Sequence, residues 1–311
     1  MAGFVHLDHG EMKFALSILT LGASLGAQDT SETYKVDVDL LVLNFTVLDS
    51  RGHYVQGLRP QDVVVREDGV AQSLKSFSES SGRVRIAEGT ERNVFVLFDT
   101  SNGMYGRFAH AQEAVLQFLR ELDPNDRVAL YTFSKNMHRA QRLTSDRSRA
   151  MAAVRNAVVG AETGLYNSLL LTLRDAAKVK GDRVVVVFSN GADNASIVGP
   201  DDVRRVAEEE GVPIYVVAAV TDDAVSGAVF ERLTTKTGGR LQYAQRWDDQ
   251  VRAFRLIREE FANSYVVTYY PGASDNDGFR RLEIQMVGRD EAHFTVRARP
   301  GYKRRTAAVK R

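Results

Sequence analysis

Residues 93–103, Asn-Val-Phe-Val-Leu-Phe-Asp-Thr-Ser-Asn-Gly, limit what this chain can fold into more than any other stretch. Five apolar residues run without a break and stop on a carboxylate, Asp99, followed by two hydroxyl residues, an amide and a glycine. A strand buried on both faces of a parallel sheet has this unbroken pattern, whereas a strand with one wet face alternates. The polar residues then fall at the carboxyl edge of the sheet, where ligands bind in open α/β folds. Asp99 and Ser101, two apart with short oxygen-bearing side chains, suit a hard cation such as Mg2+.

The surrounding rhythm agrees with a parallel sheet. Apolar runs at 94–98, 128–133, 184–188, 214–219 and 241–244 alternate with amphipathic runs at 108–122, 146–158, 165–179, 200–210, 224–237 and 248–263. Strand and helix in turn predict an α/β domain over 93–263, a doubly wound, mostly parallel sheet with helices on both faces. Either side of it the period is two. Leu41, Leu43, Phe45 and Val47 continue in the opposite phase from Val36, Val38 and Leu40, which predicts a bulge near the switch. Turns are expected at 49–52 and 67–69, with a strand over 70–77, and further strands around 265–270, 282–286 and 294–298. The segments 34–82 and 264–304 are expected to pair into one small antiparallel β domain, leaving a basic tail at 305–311.

The ordered motifs resemble the von Willebrand factor type A domain, and specifically the exported bacterial proteins related to it. The family's metal-ion-dependent adhesion site combines an Asp-x-Ser-x-Ser turn, a threonine before a helix and a Ser-Asp-Gly turn. Similar positions here are Asp99, Ser101 and Gly103; Thr163 in Glu-Thr-Gly-Leu-Tyr-Asn-Ser-Leu; and Ser189-Asn190-Gly191. The flanks at 57–69 and 297–302 also resemble that subfamily. The resemblance implies a metal site at Asp99, Ser101, Thr163 and Asn190, with Mg2+ or Mn2+ as the ion. It departs from the pattern twice, with Gly103 in place of a serine and Asn190 in place of an aspartate. One carboxylate then remains where hard cations usually ask for one or two and a full oxygen shell. The alternative is that Asp99 and Ser101 satisfy each other and nearby amides without an ion.

The N-terminus reads as an address. Lys13, a short apolar core over 14–25 and the small residues Gly26 and Ala27 follow the pattern of a secretory leader spanning 1–27, with Met12 as a second candidate start. The core is shorter than the roughly 20 apolar residues of a membrane span, and no other spanning segment is expected. The chain has no cysteine, which excludes a disulfide framework, a thiolate nucleophile and a lipid-modified cysteine. An exported protein, periplasmic or secreted, is expected. A net charge of +1 gives no reason to expect nucleic acid.

No Gly-x-Ser-x-Gly elbow, phosphate loop or His-Glu-x-x-His pair occurs, and the six histidines are scattered. A non-enzymatic module that binds a protein through the loops around Asp99 is therefore expected. Tyr105 and Arg107, after the Asp99 turn, and Lys135 and Arg139, placed with His138 and Arg142 in the loop after the second strand, are the candidate contacts, since tyrosine, methionine (Met104) and arginine favour protein interfaces. Two alternatives stand beside it: a metal-free scaffold of the cell envelope, and a hydrolase using Asp99, although a second catalytic aspartate of the haloacid-dehalogenase kind would fall on Ser101.

Overall fold

The computed structural model describes residues 40–80, 92–219, 224–272, 278–288 and 293–303. The leader, the residues before the phase switch and the basic tail lie outside them. The chain begins with β1 (Leu41–Asp49), β2 (Val63–Glu67), β3 (Val70–Ala71) and β4 (Leu74–Glu79). Strands and helices then alternate: β5 (Arg92–Asp99), α1 (Phe108–Glu121), β6 (Arg127–Phe133), β7 (Met137–Thr144), α2 (Arg147–Arg155), α3 (Leu165–Ala176), β8 (Asp182–Ser189) and α4 (Pro200–Glu210). They continue with β9 (Ile214–Ala218), α5 (Ala224–Thr237), β10 (Leu241–Tyr243) and α6 (Trp247–Ala262). β11 (Tyr265–Tyr269), β12 (Phe279–Met286), β13 (Phe294–Ala298) and β14 (Gly301–Lys303) close the chain.

Parallel pairing joins β10, β9, β8, β5 and β6 in that order, and β7 adds an antiparallel edge. Every residue of β5 is buried, as its unbroken apolar run requires. Val94, Val96 and Phe98 face a core built with α1, α2 and α6, while Phe95 and Leu97 face the opposite core against α3, α4 and α5. Each large apolar side chain so buried contributes about 1.5–3 kcal/mol. The two covered faces are the doubly wound arrangement.

The outer segments build two four-stranded sheets, β13-β1-β11-β4 and β14-β12-β2-β3. β1 lies between β11 and β13, and β2 pairs with β12, so strands from before and after the α/β domain share both sheets. Their core holds Leu43, Phe45, Val47, Val63, Val65, Tyr265, Val267 and Tyr269, in the phase expected for β1. The Asp68-Gly69 turn between β2 and β3 has φ of 48° and 83°, the left-handed pair that a tight hairpin uses.

Two expectations need correction. Residues 70–77 are not one strand: β3 stays beside β2, whereas β4 crosses to the other sheet and pairs with β11. Residues 137–144 are not a loop but the edge strand β7. Its apolar residues, Met137, Ala140 and Leu143, fall every third position, and the pairing with β6 slips twice, between Val128 and Leu130 and between Leu130 and Tyr131. Bulges hide the period-two signal.

Polar contacts fasten the β sheets to the amino edge of the parallel sheet. Arg92, first in β5, is buried and donates to Asp182, first in β8, at 2.8 Å and to Ser264 at 3.0 Å. Asn44 of β1 bonds the other oxygen of Asp182. Arg299 donates to the carbonyls of Gly211 (2.6 Å) and Val42 (2.9 Å), and burial lowers its pKa to about 10. Asp99 lies at the opposite, carboxyl edge.

Candidate functional site

Three segments converge beyond the carboxyl ends of β5, β6 and β8. The turn after β5 is tied to β6 by Thr100, whose N–H and hydroxyl both donate to the Phe133 carbonyl, at 2.8 and 2.9 Å. The loop before α3 is laced to that turn: Gly160 N–H donates to the Thr100 carbonyl (2.7 Å), Asn102 N–H to Ala161 (3.1 Å), and Gly164 N–H to Ser134 (2.7 Å). The turn after β8 joins it through Thr163, whose N–H donates to the Asn194 side chain at 2.9 Å and whose carbonyl accepts from Asn194 and Ala195, both at 3.0 Å. Asp99, Ser101, Thr163 and Asn190 are all buried within this cluster. The structure thus brings the expected residues together.

Asp99 is fully buried. Its Oδ1 accepts the Ser101 N–H at 2.9 Å, and its Oδ2 accepts the Ser189 hydroxyl at 2.6 Å. Burial raises its pKa above the ordinary carboxylate value, against the opposing pull of the Ser189 and Ser101 hydroxyls and the backbone N–H groups of Ser101 and Asn190. The Ser101 hydroxyl faces this carboxylate favourably but meets no partner at hydrogen-bond geometry. The role of Ser189 follows from its place at the end of β8, next to β5, and the sequence motif alone did not single it out.

The two departures from the family pattern touch each other. A Cβ added at Gly103 would lie 2.1 Å from Nδ2 of Asn190 and 3.3 Å from its Cγ. Asn190 Oδ1 accepts the Ala192 N–H at 3.1 Å, which turns the amide NH2 towards Gly103. The Asn190 side chain therefore fills the space that a side chain at position 103 would need.

This donor set departs from the one that Mg2+ or Mn2+ usually takes. Asp99 is the one carboxylate of the expected set, and both of its oxygens already accept hydrogen bonds. Asn190 turns its amide NH2 towards Gly103 while its Oδ1 accepts the Ala192 N–H. The nearest other acids are committed elsewhere. Asp193 accepts the N–H groups of Tyr166 (2.9 Å) and Ser196 (3.0 Å), and Glu162 pairs with Lys135 at 2.6 Å. Near-octahedral coordination here would have to be completed largely by water.

The candidate contact residues divide. Tyr105 is 76% exposed on the short helical turn Asn102–Arg107, and Arg107 is exposed beside it. Met104 is buried and serves the core, and Phe108 stacks on Phe98 at 5.6 Å. Lys135 is exposed in the short turn before β7. Arg139 is not in a loop: it sits on β7 and pairs with Asp175 of α3, beside Tyr131.

The model of the von Willebrand factor type A domain matches residues 93–255, just over half of the chain. No curated protein matches. Among solved structures, an aerotolerance-related membrane protein from Bacteroides fragilis is similar at 17% identity, covering 54% of this chain and 98% of its own, with a TM-score of 0.46. A von Willebrand factor type A protein from Catenulispora acidiphila is 11% identical over 87% of this chain and 75% of its own, with a TM-score of 0.45. The vWF domain of a type V pili tip protein from Porphyromonas gingivalis is 12% identical over 56% of this chain and 95% of its own, also at 0.45. With the family model matched across β5 to α6, this chain belongs to the von Willebrand factor type A domain family.

Proposed function

We propose that this chain is a non-enzymatic protein-interaction module that binds its partner through the surface around the Asp99 turn, without a bridging ion. The observation that carries the reading is a turn pinned on both sides by backbone hydrogen bonds and displaying Tyr105 at 76% exposure. A rigid scaffold presenting an exposed aromatic beside arginine is what protein interfaces favour, since little ordering entropy is lost on binding. Asp99 supports the non-enzymatic part: a fully buried carboxylate with both oxygens engaged offers no nucleophile to a substrate. Among the described residues no helix is long and apolar enough to cross a membrane, and export rests on the leader pattern at 1–27.

A photo-crosslinking amino acid at Tyr105, compared with one at Val70, tests this in the cells that make the protein. Val70 is 64% exposed and lies in the β sheets away from the carboxyl edge. A discrete protein adduct is expected from position 105, not from position 70, and unchanged by EDTA. No adduct from position 105, or the same adducts from both positions, refutes the proposal.

A further inference from the structure

We infer that the groove between β7 and α2 receives an extended, acidic segment of the partner protein. The inference rests on the interaction reading and assigns the partner's chemistry. The groove has a volume of about 630 Å3 and reaches Thr100 and Ser134, so it is continuous with the Asp99 turn. That volume suits a pocket made for a ligand, which spans about 300–1,000 Å3.

Its surface has two parts. Ala140, Ala152 and Ala153 give a floor of small side chains that lets a backbone approach closely. Asn136, Asn156, His138 and Arg149 are exposed around it. Side-chain amides both donate and accept, as the polar groups of an extended peptide require. Arg149 has only an exposed ion pair with Asp146, at 3.2 Å, and such a pair is worth about 1 kcal/mol at most, so its guanidinium can change partners.

Charge decides what kind of peptide fits. Residues 134–158, which supply most of the groove, carry Lys135, Arg139, Arg142, Arg147, Arg149 and Arg155 against the single acid Asp146. Glu162 and Asp175 offset Lys135 and Arg139, and the stretch keeps a positive excess in Arg142, Arg147, Arg149 and Arg155 over Asp146. Such an excess draws an acidic partner and orients its approach. A nucleic acid would also be drawn, but Phe133 is 1% exposed and the lining offers bases the His138 imidazole and no exposed Phe, Tyr or Trp ring.

The test uses fluorescence anisotropy with three labelled probes on the full chain: a peptide alternating alanine and glutamate, one alternating alanine and lysine, and a single-stranded oligothymidine. Peptides of about eight residues extend roughly 26 Å. The glutamate peptide is expected to bind, to weaken with added salt, and to bind at least about tenfold less well to Ala152→Trp and to Arg149→Glu, a loss of about 1.4 kcal/mol. Both positions are exposed on α2, and thermal melting checks that each variant is folded. Equal binding of the lysine peptide, preferred binding of the oligonucleotide, no binding of the glutamate peptide, or full retention in Ala152→Trp overturns the inference. If the glutamate peptide fails while position 105 still crosslinks a protein, the groove assignment falls and the interaction reading stands. If the peptide binds as expected and position 105 yields nothing, contact through the Tyr105 turn is refuted and the groove alone is the binding surface.

Discussion

Gly103 and Asn190 form a pair whose coupling can be measured by a double-mutant cycle. A methyl at position 103 would lie 2.1 Å from Nδ2 of Asn190, so Gly103→Ala must push that amide aside. Displacement loses the Asn190 Oδ1 bond to the Ala192 N–H, about 1 kcal/mol. It also drives the side chain away from its rotamer, at about 0.5–1.5 kcal/mol. Gly103→Ala should therefore destabilise by about 2 kcal/mol, a fall in melting temperature of about 4–8 °C for a domain of this size. Asn190→Ala loses the same hydrogen bond but removes the obstacle, and should cost about 1 kcal/mol. In the double variant the methyl enters vacated space, so the total should match Asn190→Ala alone. The coupling is then about 2 kcal/mol, within the range of residues in contact. Urea unfolding of the four proteins measures it. Costs that add within about 0.5 kcal/mol would mean that the two residues do not share the space and that the site is built differently.

Two further outcomes follow from the same cluster. Millimolar Mg2+ or Mn2+, and EDTA, should leave the melting temperature of the natural chain unchanged, whereas Gly103→Ser combined with Asn190→Asp should gain stability with metal, by about 2.7 kcal/mol at a hundred times its Kd; a metal-dependent shift in the natural chain would show that its donors do hold an ion. The pKa of Asp99 is raised in the folded state above 3.8, so the folded chain binds this proton more tightly than the unfolded one. Its contribution to stability therefore grows as pH falls from the raised value towards 3.8 and is lost as pH rises through it. Relative to Asp99→Asn, the natural chain should gain stability between about pH 7 and pH 4, read by thermal melting, and a difference that stays flat would place the titration elsewhere.

The parallel sheet was legible because burial on both faces leaves an unbroken apolar run that few other environments permit. β5 shows this in full, with all eight residues buried. The edge strand was not legible, because β7 carries five polar residues among eight and spaces its three apolar ones by three. The pairing with β6 slips twice, with the extra residue on β7 each time, and such bulges break the period-two pattern. The break between β3 and β4 was hidden for a related reason. Residues 70–77 alternate well enough for one strand, but the chain crosses between two sheets at 72–73, and which sheet a strand joins depends on partners far along the chain. Arg139 followed β7 out of the predicted loop and onto Asp175, where a cation expected to meet a partner instead holds α3.

At the site itself, sequence identified which residues meet and not what they do on meeting. Position 103 lacks a hydroxyl and position 190 lacks a charge, so along the chain the family pattern has two independent defects. In space they are one substitution. The glycine leaves a hollow, the asparagine fills it, and the Ala192 N–H fixes the direction in which the amide points. Restoring the serine alone would bring its Cβ against Nδ2, and restoring the aspartate alone would set a charge beside Asp99 with no cation to share. Each single reversion should therefore be worse than the natural pair, and the double reversion should recover only when a bound metal ion draws the new carboxylate to itself. That order of four stabilities separates a turn closed by its own side chains from a metal site that has merely lost two ligands.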